Sequence, residues 1–76
     1  MKEEQLRELV GNSWMFDIAL EYKRNDIFVR MDDYVGYEIE GENVTLIFSN
    51  SQITVPLDRL TFIDMGRKKR FYVEEN

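Results

Sequence analysis

Between Ser13 and Asp64, large apolar side chains recur at every second residue, and short clusters of Asn, Asp, Ser and Gly interrupt the pattern. A period of two is the pleat of a β-strand, in which successive side chains point to opposite faces. Residues 43–64, NVTLIFSNSQITVPLDRLTFID, carry it most fully. Val44, Leu46 and Phe48 alternate with Thr45, Ile47 and Ser49; Ser49-Asn50-Ser51 makes a turn; Ile53 and Val55 resume the period. This predicts a β-hairpin. Pro56 lacks the N–H that a central ladder needs and ends the second strand. Leu57-Asp58-Arg59 then turns the chain, and Leu60–Asp64 starts another strand.

Upstream, Ser13–Lys23 places Trp14, Phe16, Ile18, Leu20 and Tyr22 on one face and Met15, Asp17, Ala19, Glu21 and Lys23 on the other. Large residues on one side only predict a half-buried antiparallel strand. Arg24-Asn25-Asp26 turns it, and Ile27, Val29 and Met31 continue the apolar face while Phe28 and Arg30 point away. After Asp32-Asp33, the inner face of a third strand is expected at Val35, Tyr37 and Ile39, with Gly36 marking a bend or bulge. Gly41-Glu42-Asn43 leads into the hairpin, and Phe71 and Val73 suit a last short strand. At the start of the chain, residues 2–10 read as a short helix. Leu6, Leu9 and Val10 fall at i, i+3, i+4; Glu3 and Glu4 sit in the first turn, where the dipole favours them; Glu3 reaches Arg7; Gly11 is the stop.

The chain is therefore expected to be one small domain, residues 1–76, with a helix at 2–10 and a β meander over 13–73. It is mainly β (α+β by strict count), with about six antiparallel strands curling into a small barrel or half-barrel against the helix. Short strands, the bend at Gly36 and the Pro56–Arg59 turn before a late strand resemble an SH3-like or Sm-like barrel. The order helix, long strand, bent strands is similar to the Sm-like barrels in particular. VPLDRL stands where that family carries a basic-Gly pair, and the likeness concerns the fold and implies no function.

Seventy-six residues bury about 60–65% of the surface their unfolded form exposes, which makes for marginal stability. With no Cys and no His there is no disulfide, no Cys/His zinc site and no Ser–His or Cys–His nucleophile. Ser13, Ser49 and Ser51 read as turn and cap residues, and the four glycines are scattered singly, so no phosphate-cradling loop is formed. A non-enzymatic protein without cofactor or metal is expected. Asp32-Asp33 with Glu38, Glu40 or Glu42 matches no EF-hand spacing; the pair reads as a turn and the glutamates as a solvent face. No run approaches the roughly 18 apolar residues of a membrane helix, and Met1-Lys2-Glu3-Glu4 is too acidic for a signal peptide, so a soluble, cytoplasmic protein is expected.

Charge and aromatics yield three readings of partner. Phe28, Tyr34 and Tyr72 fall off the face expected inside, which takes Trp14, Phe16, Tyr22, Tyr37, Phe48 and Phe62; Ile47, Ile63 and Met65 add to a second apolar side. A nine-residue helix covers only one or two strands, so the first reading is a protein-interaction or regulatory module, most simply a homodimer, with Phe28, Tyr34, Ile47, Ile63 and Met65 at its interface. The second is a nucleic-acid-binding barrel in which Arg67, Lys68, Lys69 and Arg70 grip phosphates while Phe71 or Tyr72 stacks on a base. The net charge of −5 opposes this reading. The third starts from Met31–Asp58, which holds no Lys or Arg: an acidic inhibitor that mimics nucleic acid toward a basic partner.

Overall fold

A computed structural model describes residues 1–11, 18–65 and 68–75. Helix α1 spans Glu3–Gly11. Its start is fixed by the Lys2 N–H donating to Gln5 Oε1 at 3.0 Å, the returning half of a capping box, and by the Met1 amine donating to the Leu57 carbonyl at 2.8 Å. Glu3 pairs with Arg7 at 3.5 Å as the spacing requires, and Leu6 is fully buried. So short a helix is marginal alone and is held by that one apolar anchor together with half-buried Met1 and Val10.

The strands are β1 (Ile18–Arg24), β2 (Ile27–Met31), β3 (Tyr34–Glu40), β4 (Asn43–Phe48), β5 (Gln52–Pro56), β6 (Leu60–Met65) and β7 (Lys68–Glu75). They form two sheets, one ordered β2-β1-β7-β6 and the other β3-β4-β5. A mainly β chain with one short N-terminal helix is thus what the alternation predicted, with two departures. The described strands do not close into a barrel. Asp33, at φ +62°, turns the chain from the first sheet to the second, and Pro56 with a single 3₁₀ turn at Leu57–Arg59 brings it back, so each crossing breaks the ladder instead of extending it. Nor is the chain a pure antiparallel meander. β7 returns between β6 and β1 and pairs with β1 in parallel, Leu20 opposite Phe71 and Tyr22 opposite Val73. A strand whose Phe71 and Val73 are both completely buried is best satisfied at the centre of a sheet, flanked on both sides.

The inner faces share one core: Ile18, Leu20, Leu60, Phe71 and Val73 from the four-stranded sheet, Tyr34, Val44, Leu46, Phe48 and Val55 from the three-stranded sheet, and Leu6 from the helix. Tyr34 lies at its aromatic centre, with its ring centroid 5.9 Å from those of both Phe48 and Phe71, and Phe62 packs edge-on against Phe71 at 5.1 Å. Trp14 and Phe16, expected in this core, lie outside the described residues. On the far side of β4, Thr45 is buried between β3 and β5, and its hydroxyl meets that of Thr54 at 2.7 Å.

Tyr34 was expected on the surface and Val35 inside; the opposite holds. Register shifts between Tyr34, opposite Phe48, and Gly36, opposite Ile47. The extra residue is Val35, which bulges out and is 53% exposed, while Tyr34 turns in and is 2% exposed. A bulge inserts one residue into a period of two and so inverts the faces on one side of it.

Candidate interaction surface

Because the inner faces share a core, each sheet presents its other face to the outside. Register defines the outer face of the four-stranded sheet: Phe28 and Arg30 on β2; Ala19, Glu21 and Lys23 on β1; Lys68, Arg70, Tyr72 and Glu74 on β7; Thr61, Ile63 and Met65 on β6. Its centre is polar. Arg70 donates to Glu21 Oε1 at 2.6 Å across the parallel β1–β7 pair, and Arg30 approaches the same oxygen at 3.7 Å from β2. Only 14% of the Glu21 side chain is exposed, so one carboxylate is held between two guanidinium groups. Beside them Tyr72 donates to Glu74 at 2.5 Å, and that hydrogen bond to a carboxylate, ahead of partial burial, raises the phenol pKa. The face carries four basic residues against the two carboxylates of Glu21 and Glu74, although the whole chain is acidic.

Apolar side chains lie at the margins of this polar centre. Phe28 on edge strand β2 and Met65 on edge strand β6 are each 59% exposed, and Ile63 is half-buried. Ile27, next to Phe28 but on the other face, is also 59% exposed. The outer face of the three-stranded sheet differs: Glu38, Glu40, Asn43, Gln52 and Thr54 are exposed and polar, with half-buried Ile47 among them.

The five residues expected at a protein interface are thus not one patch. Phe28, Ile63 and Met65 share the outer face of the larger sheet but flank its two edges; Ile47 belongs to the other sheet; Tyr34 is in the core and is no surface residue. The basic run is divided in the same way. Arg67 lies outside the described residues. Lys68, Arg70 and Tyr72 share the outer face, Lys69 points to the opposite side, and Phe71 is completely buried and cannot stack on a base. The basic run Arg67–Arg70 with Phe71 and Tyr72 was expected to act as one surface segment, but from Lys68 onward it is the pleated strand β7, whose alternation sends every second side chain inward. Ile27 was missed because its parity assigned it inside; it lies at the tip of the β1–β2 hairpin, opposite Arg24, and proximity to the Asn25-Asp26 turn was the available signal. Among the described residues, no three carboxylates come together in a group able to hold a metal ion. No protein-family model matches the chain, and no curated protein or solved structure matches it significantly.

Proposed function

We propose that the protein is a non-enzymatic interaction module that works by self-association, and that it acts as a soluble, cytoplasmic dimer. The observation that carries this reading is the exposure of Ile27, Phe28 and Met65, large apolar side chains at the two edges of the four-stranded sheet. Water-exposed Phe, Ile and Met at sheet edges are residues that a partner subunit would cover. We read the two open sheets as a half-barrel of the SH3-like or Sm-like kind, supported by the shared core and the ladder-breaking turn at Pro56. Among the described residues the nucleic-acid alternative has Lys68, Arg70 and Tyr72 on a common face, and Arg70 is already held by Glu21.

Light-scattering mass across a concentration series tests self-association. A mass rising from monomer toward twice that value is expected. A mass that stays monomeric into the millimolar range overturns the reading. Binding to mixed single-stranded RNA and DNA at low salt separates the alternative, for which a salt-dependent affinity is required.

A further inference from the structure

The described sheets have four edges, and two of them carry features that discourage strand addition. β3 is bulged at Val35 and bears Glu38 and Glu40, and β5 ends in Pro56 after the polar Gln52 and Thr54; β6, with the single charge of Asp64, exposes Met65 alone among its large apolar side chains, whereas β2 exposes both Ile27 and Phe28. Bulges, proline and charge are the devices that blunt an edge. β2, Ile27-Phe28-Val29-Arg30-Met31, has no bulge or proline, and Arg30 is its one charge. Among the described residues, no strand pairs with its outer side.

We propose that β2 pairs with the β2 of a second copy, antiparallel about a two-fold axis at Val29, so that the four-stranded sheet continues across the dimer. The proposal rests on the self-association reading above and names its contact. Backbone geometry selects the register. Arg24 and Ile27 flank a two-residue turn, which makes them a hydrogen-bonded pair, so the N–H and C=O of Ile27, Val29 and Met31 point toward β1. Those of Phe28 and Arg30 therefore point to the open side. Setting Phe28 opposite Arg30 of the second copy, and Arg30 opposite its Phe28, engages all of these groups in the two close pairs of an antiparallel ladder.

Side chains agree with that register. On the outer face each Phe28 ring meets a guanidinium, a cation–π pair, and Arg30 already pairs with Asp32 at 3.3 Å and approaches Glu21 at 3.7 Å, which tempers the charge of two arginines near the axis. On the inner face Ile27 meets Met31, and Val29 meets its own copy, so the exposed Ile27 is covered. Centring the axis on Arg30 would set two guanidinium groups directly opposite each other on the axis, and centring it on Phe28 would engage fewer backbone groups; the Val29 register opposes like charges just beyond the strand ends, where Asp26 faces Asp32 of the second copy. Because this register sets Ile27, Val29 and Met31 against apolar partners on the inner face and Phe28 against Arg30 on the outer face, β2 is complementary to itself, which is the requirement of a two-fold interface and points to a second copy as the occupant.

Amide hydrogen exchange at low and high protein concentration, with light-scattering mass on the same samples, tests this. In the dimer the Phe28 and Arg30 amides are expected to slow about tenfold or more relative to dilute protein, while Ile27, Val29 and Met31, already bonded to β1, change less. Phe28→Pro removes an outward donor without touching the β1 ladder, and Phe28→Lys opposes Arg30 of the second copy; each is expected to weaken dimerisation about tenfold or more. Circular dichroism of Phe28→Lys confirms that the exposed position leaves the fold intact. A dimer in which the Phe28 and Arg30 amides are unprotected, or which survives both substitutions unchanged, overturns the β2 contact while self-association stands. A chain monomeric at every concentration overturns both.

Discussion

Tyr34 shows how one inserted residue redirects a strand. Gly36 and the preceding Asp32-Asp33 mark the place in the sequence, but the consequence, Tyr34 in and Val35 out, depends on where the bulge falls. Burial holds the Tyr34 phenol neutral and pushes its pKa from 10.0 up to about 12. Because the folded value exceeds the unfolded one, the associated stability is fully present below pH 10 and is lost as pH rises toward 12. The loss is expected to reach about 2–3 kcal/mol in urea titrations across that window. Tyr22 and Tyr72, raised chiefly by hydrogen bonds to Glu75 and Glu74, act in the same direction, so comparison with Tyr34→Phe isolates the buried group. Among the described residues the Tyr34 hydroxyl has no hydrogen-bond partner. Tyr34→Phe is therefore expected at neutral pH to lie within about 1 kcal/mol of the parent or to be more stable, and to flatten the alkaline loss. A neutral-pH cost above about 2 kcal/mol would contradict an unpartnered hydroxyl.

At the scale of elements, the least anticipated feature is the parallel junction of β1 and β7, strands from opposite ends of the chain. Glu21 ties it together from outside, bonded to Arg70 of β7 and close to Arg30 of β2. Glu21→Gln is expected to cost about 1–2 kcal/mol, since the carboxylate is shielded and its loss leaves two guanidinium groups facing each other. Arg30→Ala, on a side chain 56% exposed and 3.7 Å away, is expected to cost under about 0.5 kcal/mol. Urea melts of both variants check the ranking; equal costs would mean that the network does not centre on Glu21. The turns, by contrast, were legible. Asn25 and Gly41 take positive φ in two-residue turns, and each stands where the alternation breaks.

Over the whole molecule, stability depends on a small set of side chains. A domain of this size has about 4–11 kcal/mol in total. Phe71 touches Tyr34 and Phe62 and is fully buried, so Phe71→Ala is expected to cost about 3–5 kcal/mol, a large share of that total. Met65→Ala, exposed at the sheet edge, is expected to cost under about 0.5 kcal/mol. Near-UV circular dichroism and denaturant midpoints compare the two. A Phe71→Ala variant as stable as the parent would mean that the core is not centred on the aromatic cluster.

What the amino-acid order determined by itself is local: a short helix with Leu6 on its apolar stripe, strands where the period of two runs through the described residues, turns at Asn25-Asp26 and Gly41-Glu42, and the end of a strand at Pro56. Each rests on a residue's own backbone preference or on its parity with near neighbours. Tertiary structure alone decided which strands are neighbours, that β7 lies between β1 and β6, and hence that Phe71 is core while Arg70 and Tyr72 face outward. The physical reason is that backbone hydrogen bonds are the same for any pair of strands, so strand order is chosen by how the apolar faces fill one shared interior. Parity says which side chains go together; only that packing says which side is inside.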